Sequence, residues 1–182
     1  MTGVQTCALP ILVGHVGRFL KVKNHDFLID IFVYIKKIKP NAILMLVGQG
    51  EKQEEIKQKV KKHGIENSVL FLGSRSNVNQ LMQAMDVFVL PSLYEGIPLV
   101  GIEAQATGLP CVFSQGVPSE VALTKDCTFL NLTDSVEYWA EQISKITVKN
   151  RQDGAIAVRE KGYDIFSASI KLQNQYLLFK QN

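Results

Sequence analysis

The chain has 182 residues, 46% hydrophobic and 20% charged, with a formal net charge of +3. That is ordinary for one globular domain with a substantial core. The charge is too small to argue for a nucleic-acid partner, and no apolar run reaches the ~18 residues of a membrane span.

Residues 1–11, MTGVQTCALPI, resemble the translation of a common sequencing-library adapter read from a GTG start. They lack both the basic and the long apolar regions of a signal peptide. They are set aside, and the expectation is a native domain over 12–182 whose natural chain extends upstream.

From there, short apolar runs alternate with longer amphipathic ones. Residues 12–16 read as a strand. Asn24 is expected to cap a helix to about Lys39, with Phe27, Leu28, Ile31, Ile35 and Ile38 on its apolar face. Residues 42–47 form the second strand, closed by Gly48-Gln49-Gly50. Residues 52–62 form a polar helix ended by Gly64, and its lysines read as a solvated face. Strand 69–72, helix 78–84 and strand 87–90 follow. The last is a continuous apolar run of the kind a parallel strand buried on both faces requires. Gly96 is expected to allow a tight turn there, and Pro98 suits the first position of a helix over 98–107. Gly108 and Pro110 close that helix before strand 111–113. A weaker strand lies at 128–130, then helices at about 135–146, 151–161 and 167–179. Cys111 and Cys127 sit in apolar runs without metal-ligand spacing and read as buried free thiols of a reducing cytosol. Strict alternation predicts an α/β fold: a doubly wound, Rossmann-like parallel sheet with helices on both faces. The interior should contain Val87, Val89, Ile102 and Val112.

Ligands of such sheets lie at the carboxyl ends of the strands. After the first strand stand Gly17-Arg18 and, five residues on, Lys23. A guanidinium and an ammonium at a strand-to-helix turn suit a diphosphate, although a surface Arg and Lys there are commonplace. Neither G-x-G-x-x-G nor G-x-x-x-x-G-K-[ST] is present, against a dinucleotide dehydrogenase or a P-loop nucleotidase. After the fourth strand, Glu95 sits at the mouth. Glu103 lies five residues past Pro98, roughly 7.5 Å along the helix axis at 1.5 Å per residue. Either glutamate could instead be merely solvated, and His15, His25 and His63 read as structural or exposed.

The stretch PSLYEGIPLVGIEAQATGLP, with Gly17-Arg18, Lys23-Asn24, Gly48-Gln49-Gly50 and Phe71-Leu72-Gly73, resembles the C-terminal domain of retaining GT-B glycosyltransferases. Family 4, glycosyl transferase group 1, is the nearest match, over essentially all of 12–182. The resemblance implies transfer of a hexosyl group from a nucleotide-diphosphate sugar, UDP-linked, with Glu95, Arg18 and Lys23 as the catalytic residues. Arg18 and Lys23 would grip the diphosphate, with Gly17 at the turn. Glu95 would meet the sugar hydroxyls, and Gly96, Ile97, Pro98 and Leu99 would offer backbone N–H groups. Glu103 would accept from the ribose, Arg75 would line the nucleobase or remain an exposed loop cation, and Ser92 stands close by. The chain has no Asp-x-Asp, so neither metal nor other cofactor is expected. The acceptor, a glycan or a lipid-linked one, would be recognised by a missing N-terminal domain. The implied setting is bacterial surface-polysaccharide synthesis in the cytoplasm, with the full-length protein peripheral at the inner membrane face as a second placement. The alternatives are a nucleotide-sugar 2-epimerase of the same fold and a non-catalytic nucleotide-binding module. A receiver domain would need an acidic cluster where Gly17-Arg18 stands.

Overall fold

The structure, a computed structural model, describes residues 10–147, 151 and 153–179. Most of the segment compared with adapter therefore lies outside the described residues. Ile11 lies within them: its carbonyl accepts from the Ile43 N–H, and its side chain packs against the core.

Six strands form the sheet: β1 (Leu12–Val16), β2 (Ile43–Val47), β3 (Val69–Phe71), β4 (Val87–Leu90), β5 (Cys111–Ser114) and β6 (Cys127–Leu130). Their order is β3-β2-β1-β4-β5-β6, and every neighbouring pair is parallel. This is the doubly wound α/β arrangement, with its switch point between β1 and β4. The helices are α1 (His25–Ile38), α2 (Gln53–Lys62), α3 (Val78–Ala84), α4 (Leu99–Ala106), α5 (Val136–Lys145), α6 (Gly154–Glu160) and α7 (Ile165–Phe179).

Alternate strand residues point to opposite faces and feed two separate cores. Val13, Leu44, Leu46, Val87, Val89 and Val112 pack with Leu28, Phe32, Ile56 and Trp139 of α1, α2 and α5. Met45, Phe88, Leu90, Cys111 and Phe113 pack with Met82, Ile102, Ala104 and Val158 of α3, α4 and α6. Val87, Val89, Ile102 and Val112 are all buried as expected. Cys111 is buried and Cys127 only partly so; both are free thiols.

Some local readings change. Asn24 is not a side-chain cap. It adopts the left-handed conformation (φ 56°), and its Nδ2 donates to the Pro91 carbonyl at 3.1 Å. Asparagine tolerates that conformation, so the residue reaches across to β4 instead of folding back on α1. Pro98 stands one place earlier than expected, flanking α4 in an extended conformation. Gly96 has no positive φ, and open space surrounds the position of a Cβ. Its glycine is not demanded by the turn. Arg151 does not begin a helix: its guanidinium donates to the Gln83 carbonyl at 2.7 Å and to that of Met85, satisfying the end of α3. α7 starts before Ser167, whose N–H is held by Asp164 at 3.0 Å.

Candidate active site

The carboxyl ends of β1 and β4 carry the two polar loops that meet at the switch point. From β1 the chain passes through Gly17 and Arg18 into a single 3₁₀ turn, Lys21–Lys23. From β4 it passes through Pro91 and Ser92 to Glu95 and then α4. The loops are joined by backbone as well: the Leu93 N–H donates to the Val22 carbonyl at 2.8 Å. The Glu95 N–H donates to the Gly116 carbonyl at 2.9 Å, which fixes the glutamate from the β5 side.

Here the structure gathers Lys23, Ser92 and Glu95. The Lys23 ammonium donates to Glu95 Oε1 at 2.6 Å, and the Ser92 hydroxyl donates to the same oxygen at 2.6 Å. The two charged side chains are 17% and 13% exposed, and Ser92 is buried. Poorly hydrated charges of this kind attract strongly and are costly to leave unpaired. A ligand that supplies negative charge to Lys23 and hydroxyl donors to Glu95 can take over both halves of the pair.

A second group lies beside it. Gly17, Arg18, Gly48, Gln49, Ser74, Arg75 and Val78 line an open cavity of about 410 Å³. Its floor requires glycine. Gly48 has φ +136°, and a Cβ there would fall 2.0 Å from the Gly17 carbonyl oxygen. The Phe19 N–H donates to the Gln49 carbonyl at 3.1 Å, and the Gly48 N–H to that of Gly73 at 2.8 Å. Three loops thus hold one another, with the exposed Arg18 and Arg75 at the rim. Two guanidiniums over a glycine-lined floor suit a phosphate or a flat polar ring.

The remaining candidates are less enclosed. Gly96, Ile97 and Leu99 are exposed and Pro98 is buried. Glu103 is an exposed position of α4 and lines neither group. Solvent reaches it there, so its charge needs no protein partner. Next to it, sequence reading missed Gln105. This fully buried amide donates to the carbonyls of Gly101 (3.0 Å) and Val121 (2.8 Å), and accepts from the N–H groups of Leu123 (2.7 Å) and Thr124 (3.0 Å). It fastens α4 to the loop after β5. The only sequence signal was a polar side chain among Ala104, Ala106 and Ile102. His15 and His25 were placed as structural, and both are buried. Desolvation pushes them down to about 4 and about 2, with the Lys23 charge adding to both, so both are neutral at physiological pH.

Fold and site together define a parallel α/β domain with a polar crevice at its switch point. A sequence model of the family described as glycosyl transferases group 1 matches residues 9–163, and the chain belongs to that family. It is 39% identical over 142 residues to the putative glycosyltransferase EpsF of Bacillus subtilis, covering 78% of this chain and 37% of that one. The fold superposes on HepE of Anabaena, solved in complex with UDP, with a TM-score of 0.75 at 24% identity, covering 94% of this chain and 49% of that one. It also matches the C-terminal domain of LpcC, a glycosyl transferase group 1 family protein from Francisella tularensis. There the TM-score is 0.69 at 24% identity, over 85% of this chain and 87% of that one. The chain thus spans well under half the length of its curated relative, and its fold is the C-terminal half of the GT-B architecture. Among the described residues no helix is long and apolar enough to cross a membrane.

Proposed function

We propose that this chain is the donor-binding part of a hexosyltransferase. It holds a nucleotide-diphosphate sugar, UDP-linked, while the hexosyl group passes with retention to a glycan or lipid-linked acceptor. The observation that carries the reading is the Lys23–Glu95–Ser92 cluster at the switch point, beside the arginine-rimmed cavity. A sugar nucleotide brings both things this cluster needs, a diphosphate for Lys23 and sugar hydroxyls for Glu95. The UDP held by HepE and the kinship with EpsF support the same ligand class.

The chemistry follows from charge. When the glycosidic bond breaks, negative charge grows on the departing diphosphate and positive charge on the sugar ring. Lys23 and Arg18 stabilise the leaving group, and the first turn of α4 adds its free N–H groups. These fixed cations can replace a divalent ion, so the reaction is read as metal-independent. Glu95, freed from Lys23, orients the sugar through its hydroxyls. Gly96, Ile97, Pro98 and Leu99 border that sugar, Arg75 the nucleobase, and Glu103 the ribose. The acceptor side belongs to an upstream domain, and the setting is bacterial surface-polysaccharide synthesis at the cytoplasmic side of the membrane.

The test is in two parts. Titration calorimetry with EDTA present should show UDP binding to the chain. A radiolabelled-donor assay should show metal-independent transfer by the protein with its upstream half, sharply reduced by Glu95→Ala. Sugar release without acceptor would instead favour the epimerase. Absence of UDP binding would sink the reading altogether.

A further inference from the structure

His15 is fully buried on β1, two residues before Gly17. Its Nδ1 lies 2.8 Å from the Val89 carbonyl oxygen. A carbonyl can only accept, so Nδ1 carries the proton and Nε2 of the neutral ring is a bare acceptor. That acceptor has no hydrogen-bond partner among the described residues. Buried polar atoms without partners are uncommon and costly, and one directly beneath a polar crevice calls for an explanation.

The geometry around Gly17 supplies one. A Cβ built on Gly17 would lie 3.1 Å from His15 Nε2 and 3.5 Å from Cδ and Cε of Lys23. The imidazole nitrogen and the lysine stem therefore flank the same small gap, which glycine keeps open. The ring is held by its Nδ1 bond to the Val89 carbonyl. Phe88 is stacked parallel to it at 6.4 Å, and the His25 ring meets its edge at 4.5 Å. The titratable groups facing it are Lys23 from the 3₁₀ turn, Glu95 from the loop after β4, and His25 from α1.

We propose that His15 is a positioning residue of the donor site, whose Nε2 accepts a hydrogen bond from the Lys23 ammonium when that ammonium turns from Glu95 toward the diphosphate. The ammonium has three donors. With one on the phosphate and one on His15, two of the three are partnered once the ammonium leaves Glu95. His15 thereby makes the exchange that frees Glu95 for the sugar less costly. Burial holds the ring down to about 4, so it does not compete with Lys23 as a second cation. The proposal rests on the reading of Lys23 as a diphosphate-binding residue.

The test compares UDP with uridine, which lacks the diphosphate, in calorimetry on the full 182-residue chain. His15→Asn keeps a donor for Val89 and removes the Nε2 acceptor. It should weaken UDP by about tenfold, as expected for one hydrogen bond to a charged group, and leave uridine unchanged. In a Lys23→Ala background the same substitution should change UDP affinity by less than about twofold, because the partner is gone. Equal effects in both backgrounds, or on uridine, would mean that His15 acts only through folding and overturn the proposal. Should His15→Asn fail to fold, ¹⁵N spectra of histidine-labelled wild-type chain decide. The His15 Nε2 resonance should move toward the hydrogen-bonded position on saturation with UDP and stay fixed in Lys23→Ala; no movement in wild type overturns the idea. UDP binding that depends on Lys23 but not on His15 removes this proposal alone, whereas no UDP binding by wild type removes the donor-site reading with it.

Discussion

Replacing Glu103 with alanine separates the ligand's needs from the fold's. The side chain is exposed on α4, and no protein hydrogen bond or ion pair to it is present among the described residues. Alanine is also the better helix former. The stability of Glu103→Ala should therefore stay within about 0.5 kcal/mol of wild type, the usual range for surface changes. Binding is another matter. If the carboxylate accepts from ribose hydroxyls, a charged hydrogen bond worth about 1.5–3 kcal/mol is lost. That is roughly a 10- to 100-fold rise in the Kd for UDP. Pyrophosphate has no ribose and should bind as before. Calorimetry with both ligands, beside a urea melt, reads all three quantities. Equal weakening for UDP and pyrophosphate would refute the ribose assignment, and a large loss of stability would refute the solvated placement.

Arg18→Ala and Lys23→Ala should weaken UDP and pyrophosphate alike, by a factor that shrinks as salt rises; titrations at low and high salt check this, and sparing of pyrophosphate would remove the diphosphate role. Gln105→Ala strands partners on both α4 and the loop after β5, so urea melts should show a loss of about 3 kcal/mol or more, at ~1–3 kcal/mol per unsatisfied buried group. Acid should also destabilise the fold through the buried histidines. Their folded values, about 4 and about 2, lie below the unfolded value of 6.5, so the unfolded chain binds more protons below pH 6.5. Stability is full above that pH and falls as pH drops toward the folded values, by up to about 1.4 kcal/mol per unit for each ring. His25→Phe, which preserves the stack on Phe19, should flatten the urea-midpoint profile between about pH 6.5 and pH 5 relative to wild type.

The strands were legible because apolar runs buried on both faces leave few alternatives. Val87–Leu90 and Leu12–Val16 appear at the expected places. That a cationic turn follows β1 and that Glu95 follows β4 was legible from residue type and spacing. Which of them touch was not. Lys23 and Glu95 are 72 positions apart, and only the adjacency of β1 and β4 brings them together. Asn24 misled because asparagine serves equally as a cap and as a left-handed residue, and the choice is made by the Pro91 carbonyl across the crevice. Gln105 escaped because a polar letter within an apolar run does not say whether it finds partners. Arg151 was drawn into a helix because periodicity is blind to the carbonyls waiting at the end of α3.

The central seam of the sheet has its own consequence. β1 and β2 are in register over five residue pairs, but β1 and β4 over only two, Val13↔Val87 and Gly14↔Phe88. Beyond them the two halves are joined by three side-chain links, His15 to Val89, Asn24 to Pro91 and Lys23 to Glu95, and by the backbone bond from Leu93 to Val22. A backbone ladder has one spacing, whereas these links can be exchanged one for another as a ligand enters. Substitutions at 15, 24 and 95 should therefore change how the loops at the seam meet a ligand, while the strands beneath keep their register.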